Sequence, residues 1–178
     1  MAALNQDNSK LGGPIFHSQP VPVSREKIWE VISRPGNLVD FHPFCKSNPV
    51  EVWPGVGSRD GVYYYSGLIL MRDFTAWFEG AGYDLTATSD NGMQFKVSWR
   101  ITTEMNESSA LNLTIRQVLV QSSKKRMKQY GRLLDKYLKQ VGQGFEYYLR
   151  TGERVRRNQF GSHRLFSPPV AKQENLEV

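Results

Sequence analysis

The chain has 178 residues, enough for one domain with a substantial core and too few for two comfortable ones. Hydrophobic residues at 39% and aromatics at 12% exceed what a disordered chain carries, while a mean hydropathy of -0.49 and the lack of a long apolar run exclude a membrane-spanning helix. A net charge of +6 would fit nucleic acid, an anionic membrane or an acidic partner, but the excess sits in "KKRMK" (124–128) and "RTGERVRRNQFGSHR" (150–164), a helix start and a tail, so no specific nucleic-acid surface is expected.

Residues 1–13 read as disordered, and "MAALNQDNSKLGGP" has neither the charged-then-apolar pattern of a secretory leader nor an organellar one. A single cysteine allows no internal disulfide, which makes cytoplasmic residence the simplest expectation. "IFHSQPVPV" is extended, with prolines suited to an edge strand. Ser24 then serves as an N-cap, Glu26 complements the helix dipole, and Ile28, Val31 and Ile32 line one face until Pro35-Gly36 ends the helix. "NLVDFHPF" makes one or two further turns before Pro43 removes a backbone donor.

From about 48 to 121 the period changes to two. "VEVW", "GVYYYSG", "LILMRDFTAWFEG", "YDLTATS", "MQFKVSWRIT" and "ALNLTIRQVLV" are strand-like runs divided by turn-forming residues, which reads as an antiparallel meander of six strands. Phe95, Val97, Trp99 and Ile101 share one face with Leu111, Leu113 and Ile115 on the next strand, while Gln94, Lys96, Ser98 and Arg100 take the other, so one face is wet and one covered. The cover is the segment from about 123 to 151, where Met127, Tyr130, Leu134, Leu138, Val141, Phe145 and Leu149 recur at helical spacing. Gly131, Gly142 and Gly144 lie inside that helix, either as close-approach points or as tolerated weak positions. Residues 153–178 turn basic and Pro-containing and read as an appendage outside the fold, with Arg154, Arg156, Arg157 and Arg164 able to touch an anionic membrane transiently.

"VPVSREKIWEVISRPGNL", "FTAWFEGAGYDLTA", "VSWRI" and "LNLTI", in this order, resemble the START-like (SRPBCC) superfamily, most closely its polyketide cyclase/dehydrase and lipid-transport branch, over residues 15–149. The resemblance implies an α+β helix-grip fold: a curved antiparallel sheet of about seven strands around a long C-terminal helix, two short helices after the first strand, and a mostly apolar cavity in a domain of residues 14–152. A one-sided sheet and a one-sided helix must bury each other, which leads to the same geometry.

Expected cavity residues are Tyr64, Trp77, Phe95, Trp99, Leu113, Tyr130 and Leu134, with His42 and Phe44 of "DFHPF" at the mouth. Arg72 is a further candidate: it and Asp73 are adjacent in a strand, so one points inward and needs a partner. His42 and Cys45 lack the further ligands a zinc site requires and the supporting groups of a nucleophile, so neither a metal nor another cofactor is expected. The favoured role is a carrier or sensor of a hydrophobic or aromatic small molecule or lipid. A cyclase or dehydratase using the same cavity is the alternative, and a protein-interaction module the third.

Overall fold

A computed structural model describes residues 12–103, 109–118 and 124–170. Residues 1–11, 104–108, 119–123 and 171–178 lie outside the described residues, and with them the end of the expected run "ALNLTIRQVLV", as does the side chain of Met127. The elements follow the expected order: β1 (Ile15–Val21), α1 (Arg25–Ile32), α2 (Leu38–Phe41), β2 (Cys45–Ser47), β3 (Val50–Val52), β4 (Arg59–Tyr64), β5 (Ile69–Phe78), β6 (Gly82–Thr88), β7 (Gln94–Thr103), β8 (Ser109–Val118) and α3 (Lys124–Thr151). The strands form one antiparallel sheet in the order β1-β8-β7-β6-β5-β4-β2, with β3 also pairing β4. Strand β2, carved from the end of "DFHPFC", is the one described strand beyond those expected.

Local chemistry accounts for the boundaries. The Ser24 hydroxyl accepts the Lys27 amide, and Ile28, Val31 and Ile32 are buried. In the sheet Trp99 lies opposite Leu113 and Val97 opposite Ile115, so the inward faces of β7 and β8 coincide in register. On the outer face Lys96 bonds Thr86 and Arg100 pairs with Asp84. Helix α3 has 28 residues, about 42 Å at ~1.5 Å each, and lies across the concave face of the sheet.

Two of the three helix glycines are close-approach points. A Cβ at Gly144 would collide with the Phe41 carbonyl, and one at Gly142 with the His17 ring, whereas Gly131 faces open space. Gly144 therefore lets α3 touch the backbone of α2 and fixes where α2 ends.

The segment after α3 is not an appendage. Residues 153–168 return over α2 as a strap: the Val155 amide donates to Asp40 and the Asn158 amide to Pro43, while the Gln140 side chain donates to the carbonyls of Phe160 and Gly161. Two of the four arginines assigned to membrane contact are used here, Arg154 pairing with Asp40 and Arg157 lying over the Tyr65 ring. His163 and Ser167 exchange backbone hydrogen bonds, and His163, Phe166 and Ser167 are buried. The basic composition hides two core side chains, and their burial offsets the ordering entropy that the expectation left uncompensated.

Candidate functional site

The inward side chains divide into a packed end and an open end. At the packed end Trp29 meets Trp77 edge-on (5.3 Å between ring centres), Trp53 meets both Trp77 and Phe74, and Tyr83 stacks between Trp77 and Trp99. At the other end the sheet and α3 enclose a cavity of about 50 Å³. A water needs roughly 10–15 Å³ of such space, so the cavity holds a few waters and no large ligand as it stands.

Seven of the ten expected residues line this cavity: His42, Tyr64, Arg72, Phe95, Trp99, Leu113 and Leu134. Three do not. Trp77 faces inward, turned there by a bulge between Phe74 and Ala76, but it stands far enough along β5 to sit in the packed end, opposite Tyr83 and with Trp29 and Trp53 beside it. Phe44 is fully buried behind His42, against Tyr137 and His163. Tyr130 shares the inward face of α3 but stands two turns before Tyr137, beyond the end of the cavity: it lies half-buried at the surface beside Leu133 and Leu165, and Tyr137 faces the cavity in its place.

Two polar groups reach into the otherwise apolar lining. The first is an ion pair. Arg72 points inward and Asp73 outward, and across the ladder from Arg72 stands Asp60, whose side chain is 0% exposed. The Arg72 Nε donates to one Asp60 oxygen at 2.7 Å and Nη2 to the other. Burial works against the guanidinium charge, but the Asp60 carboxylate outweighs it and holds Arg72 protonated above its ordinary range. Both Asp60 bonds use Nε and Nη2, and the same guanidinium also lies by the buried Tyr83 hydroxyl.

The second is a chain of three rings. His42 is the C-cap of α2, and its Nδ1 accepts the Phe44 amide at 3.2 Å, which places its proton on Nε2. Nε2 then donates to the Tyr137 hydroxyl at 2.8 Å, and the Tyr137 and Tyr64 hydroxyls share a hydrogen bond of 3.0 Å. Whichever tyrosine donates, one hydroxyl hydrogen of the pair is left without an acceptor among the described residues. All three groups are held neutral. Burial, and then the Arg72 charge, lowers the His42 pKa to about 3; burial raises that of Tyr137 to about 12 and that of Tyr64 well above its usual value.

Cys45 is chemically quiet. Burial pushes its thiol up to about 12, and its sulfur bonds the Ser47 carbonyl. Among the described residues no three His, Cys, Asp or Glu side chains converge as a metal cluster would require.

No family model and no curated protein matches the chain. Solved structures do. DynU16, from the dynemicin biosynthetic locus, aligns with a TM-score of 0.62 at 15% identity, covering 82% of this chain and 51% of its own, so this chain spans about half the length of DynU16. Ara h 8.0201 aligns with a TM-score of 0.61 at 13% identity over 79% of this chain and 99% of its own. SA2116 from Staphylococcus aureus, a protein of unknown function, gives 0.63 at 10% identity over 79% and 94%. The fold is a START-like helix grip. At these identities the likeness establishes the fold and leaves function to the site.

Three residues of this helix grip's site went unnoticed in the sequence. Asp60 stands in "GSRDG", which reads as a turn, although its spacing of two from Val62 and four from Tyr64 already placed it on their face. Tyr137 follows Leu134 by three, the other spacing that keeps one helix face. Phe166, in the strap, carries no periodic signal at all.

Proposed function

We propose that the protein binds a small, mostly apolar molecule carrying an oxygen acceptor, a carbonyl or a phenol or ether oxygen, in the space between the sheet and α3, and acts as its carrier or sensor. The spare hydroxyl hydrogen of the Tyr64–Tyr137 pair carries this reading. A donor buried in an apolar space without an acceptor costs on the order of 1–3 kcal/mol, which an incoming acceptor recovers. The Arg72 guanidinium stands on the same lining. Since Asp60 already neutralises the guanidinium, a neutral oxygen is favoured over a carboxylate, whose charge would go uncompensated.

Binding is favoured over catalysis because of the proton inventory. An acid–base enzyme needs a group poised to gain and lose a proton near the working pH, and His42, Tyr64 and Tyr137 are all driven away from it by burial. The dimensions of the fold do not decide the matter; the lining does. The test is native mass spectrometry of freshly purified protein, with organic extraction of whatever it retains. The expected result is an oxygen-bearing apolar compound at a fixed stoichiometry. Retention of a carboxylate or phosphate compound, or of a pure hydrocarbon, would count against the reading.

A further inference from the structure

We infer that the ring of Phe166 occupies the aromatic subsite of the ligand, so that the strap is a built-in plug and the ligand is a molecule whose aromatic ring replaces that side chain. This rests on the binding role proposed above and adds the chemical class and the way in. A cavity of about 50 Å³ does not admit even a single substituted ring, so some lining residue has to leave. The sheet residues are held by continuous ladders, and Leu134, Tyr137, Leu138 and Val141 by the backbone of α3. Phe166 is the one lining residue supplied by the strap.

Its fastening is local. The Phe166 carbonyl accepts the Ser66 amide at 3.0 Å, and the His163–Ser167 backbone pair closes the loop around it. His163 is the anchor: its Nε2 lies 2.9 Å from the Leu133 carbonyl, to which it donates, and its Nδ1 accepts the Leu165 amide. The tip, Leu165 and Phe166, can swing away while His163 stays attached to α3.

The seat itself is aromatic and polar at once. The Phe166 ring packs 4.7 Å from Tyr64 and 4.4 Å from Tyr137, the two residues that carry the spare hydroxyl hydrogen. A ligand ring entering here keeps the aromatic contacts that Phe166 gives up, and an oxygen on that ring adds the hydrogen bond that a phenylalanine cannot make. The favoured ligand is therefore an aromatic ketone, phenol or aryl ether rather than an acyl chain.

The probes are acetophenone and its acceptor-free counterpart ethylbenzene, titrated into the full chain and into Phe166→Ala, with Phe166→Leu carried alongside in case the alanine variant does not fold. Emptying the seat adds a ring-sized void to the cavity, approaching the roughly 150 Å³ at which an apolar protein cavity takes up benzene. With the competing side chain gone, Phe166→Ala should bind acetophenone about tenfold tighter or more, and Phe166→Leu by a smaller factor. In the unmodified chain, acetophenone should speed hydrogen exchange at the Ser66 and Ser167 amides. Equal affinity in all forms, or binding that leaves both amides unchanged, overturns the plug. Failure of either variant to take up either probe while folded also overturns it. Tighter but equal binding of acetophenone and ethylbenzene by the variants leaves the plug standing and removes the acceptor-recognition reading instead.

Discussion

The Asp60–Arg72 pair offers the sharpest energetic prediction. Asp60 is 0% and Arg72 6% exposed at the side chain, and the two are joined by a bidentate contact with Nε–Oδ1 at 2.7 Å. Replacing Asp60 by leucine leaves a buried guanidinium with the face of the Phe74 ring, 5.3 Å away, and the neutral Tyr83 hydroxyl for partial compensation. Removing one member of a buried pair in this way costs about 3–5 kcal/mol, whereas replacing both by apolar residues of similar volume is often close to neutral. Asp60→Leu and Arg72→Met should therefore each destabilise by about 3–5 kcal/mol, and the double variant by far less than their sum, giving a coupling of about 3 kcal/mol or more. Urea unfolding monitored by tryptophan fluorescence, with slopes compared across the four proteins, measures this directly. Two single variants within about 0.5 kcal/mol of the parent, or strictly additive effects, would mean that water reaches the pair and that the cavity floor is not the low-dielectric surface described here.

Trp99 lines the cavity, stacks on Tyr83 and meets Phe41, so Trp99→Ala should cost about 3–5 kcal/mol in the same unfolding assay. A chain ending at Gly152 should melt well below the full chain, because it strips Phe166 and His163 from the core; an unchanged melting temperature would restore the appendage reading. His42 faces Arg72, Tyr64, Tyr137 and His163, and its folded pKa of about 3 lies below the unfolded value of ~6.5. The unfolded chain therefore binds the extra proton first, and stability is full above pH ~6.5 and falls as the pH drops toward 3. Between pH ~6.5 and ~5, above the ordinary carboxylate range, this residue alone should remove about 2 kcal/mol, with His163, also lowered by burial, acting in the same direction. A flat stability profile over that interval would contradict the neutral, buried placement of both rings.

What the sequence disclosed follows from periodicity. Strands β7 and β8 alternate so cleanly that their inward faces could be read residue by residue, and the N-cap of α1 was visible in Ser24. Where two neighbours had equal claims, alternation had no answer. Arg72 and Asp73 differ only in phase, and the choice was made by Asp60 across the ladder. Trp77 and Tyr130 were misplaced because periodicity gives the face of a strand or helix and not how far along it the cavity extends: Trp77 is inward but lies at the packed end, and Tyr130 stands two turns before Tyr137 on the same face. The strap was missed for a different reason. Its anchors are a single histidine and a single phenylalanine in a basic run, and only tertiary contact shows that they are buried.

The central claim is that the space between the sheet and α3 receives an apolar molecule with an oxygen acceptor. Methyl-labelled NMR of the full chain tests it most directly, since Leu113, Ile115, Leu134, Leu138 and Val141 ring the cavity. Titration with acetophenone should shift these methyls ahead of those on the outer surface, and more tightly than ethylbenzene by about fivefold, the worth of one hydrogen bond of ~1 kcal/mol. Cavity methyls that stay unmoved at saturating acetophenone, while outer methyls shift, would contradict the account.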